Sequence, residues 1–219
     1  MTSMVKVWDF PTRFFHWSLV LLFVFMVVSG ESDDLMEWHF YAGYLLSGLI
    51  LFRLLWGFLG TRYARFSSLQ LNPMTAVQYT RNLFRSQHSA QYGHTPAGSL
   101  MVIIMLALLC IQLLTGMMST DDIIWSGPLY AAVSDSVAGF AGEVHEVIQG
   151  LMQLLVGVHV LAIILYKVKF NDPLVPAMIH GRKPQLGDDP AREGVSLPKY
   201  LAAVLPALGL TYWLFTLPI

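Results

Sequence analysis

The sequence predicts an all-α integral membrane helical bundle, four spanning helices with a fifth at the carboxyl end. Three observations carry that expectation. Hydrophobic residues make up 55% of the 219 and charged residues only 12%, about half the charged share of a soluble domain. Five runs nearly free of Asp, Glu, Lys and Arg approach the roughly 20 residues that a spanning helix needs. The remaining charges are sorted by connection, bases in one set and acids in the other, as the excess of Lys and Arg in cytoplasmic loops requires.

The first run covers residues 14–30, directly after Arg13. It has no basic run before it and no small-residue cleavage site, so it reads as a retained span and not as a secretion signal. The second covers residues 38–59 and is interrupted only by Arg53. The third, residues 95–120, opens on Thr95 and Pro96, a cap followed by a first helical position. The fourth covers residues 147–166. The fifth fills residues 200–219 and holds Pro206, whose kink a membrane helix tolerates. Asn72 and Pro73 repeat the capping signal before a segment reaching Arg85. That segment mixes Met74, Val77, Leu83 and Phe84 with two arginines, as a helix lying on the inner leaflet does. The chain thus divides into a four-helix unit over residues 1–183, a cytoplasmic linker over 184–196 and a C-terminal transmembrane helix over 197–219.

Orientation follows from the sorted charges. Arg62, Arg65, Arg81 and Arg85 lie between spans two and three, and Lys167, Lys169, Arg182 and Lys183 follow span four. These ends are cytoplasmic, and so is the amino terminus. Glu31, Asp33, Asp34 and Glu37 lie between spans one and two, and Asp121, Asp122, Asp135, Glu143 and Glu146 between spans three and four, with no base in either stretch. A formal charge of -1 leaves no basic pool for nucleic acid. The lone Cys110 excludes an internal disulfide, a cysteine zinc site, an iron-sulfur cluster and covalent haem attachment.

Four of the seven histidines sit in or at the ends of spans, where an ionisable group is costly and functional by default. His16 opens span one at the inner side. His39 and His145 open spans two and four at the outer side. His159 follows His145 by fourteen residues, about 21 Å along a helix and about 40° short of four turns, so both imidazoles leave nearly one face. Depth then pairs His16 with His159 and His39 with His145. Two imidazoles facing each other across a planar macrocycle are what a six-coordinate b-type haem requires, whereas zinc would want further ligands at each level. Arg53 lies fourteen residues after His39, on the same face at the inner level, where it suits haem propionates or an anchor snorkelling to lipid phosphate. Gly43, one turn after His39, lets a porphyrin approach the backbone or serves plain helix packing. His94 reads as local structure beside the Thr95 cap, His88 and His180 as solvent-exposed, and the scattered methionines as core filling.

These residues resemble the bacterial cytochrome b561 and nickel-iron hydrogenase b-type cytochrome family over roughly residues 4–183. The resemblance rests on the opening Trp8-Asp9-Phe10-Pro11-Thr12-Arg13-Phe14-Phe15-His16-Trp17, on Trp38-His39 with Gly43-Tyr44, on Phe52-Arg53 followed by Trp56-Gly57 and Gly60, on Tyr63 with Arg65-Phe66, on Gly93-His94-Thr95-Pro96, and on His145-Glu146 with His159. It implies a four-helix membrane cytochrome of the bacterial inner membrane. Two non-covalent haems b are held from the first, second and fourth helices, and electrons pass between quinone and an outside partner. The fifth span and its linker have no counterpart in the shortest members.

The leading expectation is therefore respiratory electron transfer between quinone or quinol and a periplasmic redox protein, a c-type cytochrome or an oxidoreductase subunit, docking over residues 119–142. Arg13, Trp17, His94 and Tyr166 are the inner-side candidates for a quinone site. The alternative is a superoxide oxidase passing electrons to quinone, an activity the resemblance implies for some members. An outer surface with nine acids and no Lys or Arg would slow the encounter with that anion. A proton or metal transporter with a histidine relay would instead call for broken helices at the midplane.

Overall fold

The computed structural model describes residues 4–85, 90–121, 123–186 and 193–217. The order along them is β1 (Met4–Lys6), α1 (Phe10–Ser29), α2 (Met36–Leu59), α3 (Pro73–Phe84), α4 (Pro96–Met118), α5 (Asp135–Phe170), α6 (Leu174–His180), β2 (Arg182–Pro184) and α7 (Leu197–Leu214). The helical bundle is as expected. The two-stranded antiparallel pairing of β1 with β2 is an addition that no sequence signal announced.

Helix starts follow their caps. The Asp9 carboxylate accepts from Thr12 N at 2.7 Å, so α1 begins at Phe10, earlier than the apolar run, and Arg13 and His16 lie inside its first two turns. Asn72 caps α3 through Met74 N at 2.9 Å, and Thr95 caps α4 through Gly98 N at 3.1 Å. The largest difference is α5. The apolar run of residues 147–166 marks only the hydrocarbon part of a 36-residue helix, about 54 Å long against a bilayer core of about 30 Å.

α1, α2 with its preceding turn, α4 and α5 are long and apolar enough to cross a membrane. Their outward faces display Leu21, Val24, Ile104, Leu154 and Leu161, residues for which lipid is the fitting surroundings. α2 is the most enclosed of the four, with Leu46, Ile50, Phe52 and Trp56 all buried. α7 runs antiparallel along it, from Tyr200 against Phe52 and Trp56 to Phe215 against Tyr41 and Tyr44.

Asp9 also accepts from Trp56 Nε1 at 3.1 Å and Thr61 Oγ1 at 2.6 Å, which ties the start of α1 to the end of α2. Lys169 donates to the carbonyls of Leu83 and Phe84. This is the basic end of the bundle. At the opposite, acidic end Gln149 donates to Glu31 at 3.1 Å. Gly181 closes the basic end: its carbonyl accepts from Val7 N at 2.8 Å and Trp8 N at 3.1 Å. Its φ of 82° and a Cβ that would sit 2.5 Å from the Trp8 carbonyl demand glycine there.

Candidate functional site

At the acidic end His39 on α2 and His145 on α5 lie within electrostatic range of each other. Each ring is fixed through Nδ1. His39 Nδ1 is 3.0 Å from Ser29 Oγ at the end of α1. His145 Nδ1 donates to the Gln112 carbonyl on α4 at 2.9 Å, with Thr115 Oγ1 at 3.4 Å. A proton held on Nδ1 by a carbonyl leaves Nε2 as the basic nitrogen, the arrangement found in metal-ligating histidines.

Two glycines permit this. A Cβ at Gly116 would stand 2.6 Å from His145 Cε1, and one at Gly30 would stand 3.2 Å from His39 Cε1. Neither glycine, nor Ser29 or the Gln112 carbonyl, was singled out from sequence. Their contacts are made between helices, one of them through the backbone. The available signal was Ser29-Gly30 closing the first apolar run.

At the basic end His16 on α1 and His159 on α5 are likewise within electrostatic range. His16 Nδ1 is buried without a hydrogen-bond partner among the described residues. Arg53 is 4% exposed, donates to the Ala64 carbonyl at 3.1 Å, and lies over the rings of Phe66 at 5.0 Å and Phe15 at 5.9 Å. A side chain enclosed in this way does not snorkel to lipid phosphate. Gly43 faces an open flank: its Cβ would meet only Met26 Cε at 3.8 Å.

Of the quinone-site candidates, Arg13 donates to the Ile179 carbonyl and Trp17 to the Met178 carbonyl at 3.1 Å, strapping α6 to α1. Tyr166 donates to Tyr79 of α3 at 3.2 Å. At His94 the neighbouring cap is made by Thr95, and the imidazole turns inward. It packs 4.8 Å from the Trp8 ring, and its Nδ1 is buried with no hydrogen-bond partner. Burial, with Arg53, Lys183, His159 and His16 nearby, holds it neutral, its pKa pushed down to about 3. His180 is exposed and accepts from Arg182 N at 3.1 Å; His88 lies outside the described residues.

Among the described residues, no three of His, Cys, Asp and Glu gather to hold a bare metal ion. Two imidazoles per end suit a metal whose other ligands arrive with it, as in a haem. A family model described as prokaryotic cytochrome b561 matches residues 7–181. The chain belongs to the prokaryotic cytochrome b561 family. No curated relative matches it. The protein is accordingly a multi-pass membrane protein, and cytochrome b561 proteins bind b-type haem and transfer electrons across the membrane. The residues present fit that group. Nδ1 is tied at His39 and His145, an unpartnered ring nitrogen remains at His16, and Gly43 offers a flank without a side chain.

Proposed function

We propose that this cytochrome b561 carries electrons through two b-type haems, one held by His16 and His159 and the other by His39 and His145. The observation that supports the reading is the meeting of four imidazoles in two pairs at opposite ends of one bundle, α5 giving one ligand to each. A b-type haem held by either histidine pair would supply one-electron ferric–ferrous chemistry.

The protein's part is positioning. α5 sets the separation of its two ligands at about 21 Å along its axis, and Ser29, Gln112 and Thr115 orient the rings at the acidic end. Arg53 brings a buried positive charge to the basic end, and Gly43 leaves the flank beside His39 clear. By the distribution of Lys and Arg the basic end and the amino terminus face the cytoplasm of a bacterial inner membrane. There a quinone exchanges electrons and protons beside Arg13, Trp17 and Tyr166. The acidic end receives a periplasmic redox partner, a c-type cytochrome or an oxidoreductase subunit. α7, packed antiparallel along α2, is the fifth spanning helix after the 184–196 linker.

The test is haem quantification with a stepwise reductive titration of the purified protein. Two haems per chain and two reduction steps are expected. His159→Ala should lower haem to about half and leave a single bis-imidazole step. One haem per chain in the parent, or an unchanged spectrum in the variant, overturns the assignment.

A further inference from the structure

β1 and β2 place Lys183 opposite Val5, flanked by the exposed Lys6 and Arg182. Alternation turns both central side chains inward, and at the position where an apolar residue belongs stands a lysine that is 5% exposed. A buried ammonium costs several kcal/mol unless an opposite charge compensates it. Among the described residues its ammonium donates to the Gln91 carbonyl at 2.9 Å. Burial lowers its pKa, Asp172 opposing in part.

The second buried cation, Arg53, is also bonded only to a carbonyl. Among the described residues no carboxylate hydrogen-bonds to either. Asp9, near Arg53, accepts instead from Thr12, Trp56 and Thr61. His94 is coupled electrostatically to both cations and to His16 and His159, and its buried Nδ1 has no partner. Donors from α2, from the threshold of α4 and from β2 therefore converge beside the histidine pair of the basic end. The nearby charge is positive and incompletely answered.

We propose that Lys183, together with His94 and Arg53, seats the carboxylates of the haem held by His16 and His159. The proposal rests on the two-haem reading and adds a residue just past 181, where the family match ends. Charge favours this occupant over a quinone. A neutral quinone would accept a hydrogen bond yet leave two buried cations answered only in part by Asp172 and Asp9, whereas two propionates would balance them. The β1–β2 pairing thereby acquires a purpose, since it turns Lys183 inward towards the Gln91 carbonyl, three residues before His94.

Redox titration of purified full-length protein tests the seat, the inner haem being the one that His159→Ala removes. Lys183→Met should lower the inner potential, because losing a positive charge favours the ferric form, by about tenfold in the reduction equilibrium, about 59 mV for one electron. The outer potential should stay fixed, and Lys183→Arg should restore the inner one. Where Lys183→Met does not assemble, infrared difference spectra of Lys183→Arg with haem carrying 13C-labelled propionates give the second reading; the carboxylate band of the inner haem should move. Two intact haems with an unmoved inner potential or an unmoved band overturn the seat and leave the two-haem reading standing. So does a weakened affinity for a quinone analogue with both potentials unchanged, which would give the site to quinone. A single haem in the parent protein instead removes the two-haem reading.

Discussion

At the scale of single residues the acidic-end pair is held by groups whose importance lies in what they lack. Gly116 approaches His145 so closely that a methyl group would stand 2.6 Å from Cε1, so Gly116→Ala should displace the imidazole and break its bond to Gln112. The expected outcome is loss of one haem of two, read as haem per protein, with the basic-end step retained. Gly43→Ala is the informative contrast. The protein's own atoms leave ordinary room for that methyl, and the thermal stability of the apoprotein should not change. Lower occupancy of the outer haem in the same variant would report a macrocycle lying against Gly43; full occupancy would show that the glycine serves helix packing. The grouping of His16 with His159 and of His39 with His145, which lie within electrostatic range in the fold, was legible in the sequence from depth. Gly30, Gly116, Ser29 and Lys183 were not, because each acts on a partner that only the packing of separate segments brings near.

At the scale of elements α2 is a helix with two working faces. His39, Gly43 and Arg53 share one. Gly48 follows His39 by nine residues, half a turn away at 100° per residue, and there α7 comes so close that a Cβ would stand 1.9 Å from Thr211 Oγ1 and 2.9 Å from the Ala207 carbonyl. Gly48→Leu should therefore unseat α7 at a cost of about 1–3 kcal/mol, the usual range for overpacking. Haem content and both potentials should remain, since the ligand face points the other way. Thermal unfolding with haem absorbance recorded in parallel checks this, and loss of either haem would show that α7 supports the site. The sequence announced α7 as an apolar run but not the surface it covers, because the notch at Gly48 has no compositional signature. It likewise announced only the middle of α5, since hydropathy marks hydrocarbon and is silent on a helix that continues through Asp135, Glu143 and Glu146.

At the scale of the whole molecule that continuation matters for recognition. α5 exceeds the bilayer core by about 24 Å, and its first turns stand at the acidic end with Val137 and Phe140 exposed. Ala138 and Ala141 are buried. The preceding loop is ordered by Asp121, which accepts from the backbone N–H groups of Ile123, Ile124 and Trp125; these bonds hold its carboxyl below the usual range, so it stays charged at neutral pH. Trp125 packs 6.1 Å from Phe40, beside His39 in the sequence. A partner docking over residues 119–142 would thus meet fixed negative charge close to His39 and His145, and a cationic face would be steered onto it. Steering of that kind fades as salt shortens the screening length, which is about 8 Å at physiological ionic strength. Electron transfer from the reduced protein to a basic soluble cytochrome should be fast at low salt and slow steeply as salt rises, while an acidic cytochrome should react slowly and gain from the same addition. Charge reversal at Glu143 and Glu146 should flatten the first dependence without altering the haem spectrum. A rate to the basic acceptor that ignores salt, or a preference for the acidic one, would leave the acids as a by-product of membrane topology and move the docking face elsewhere.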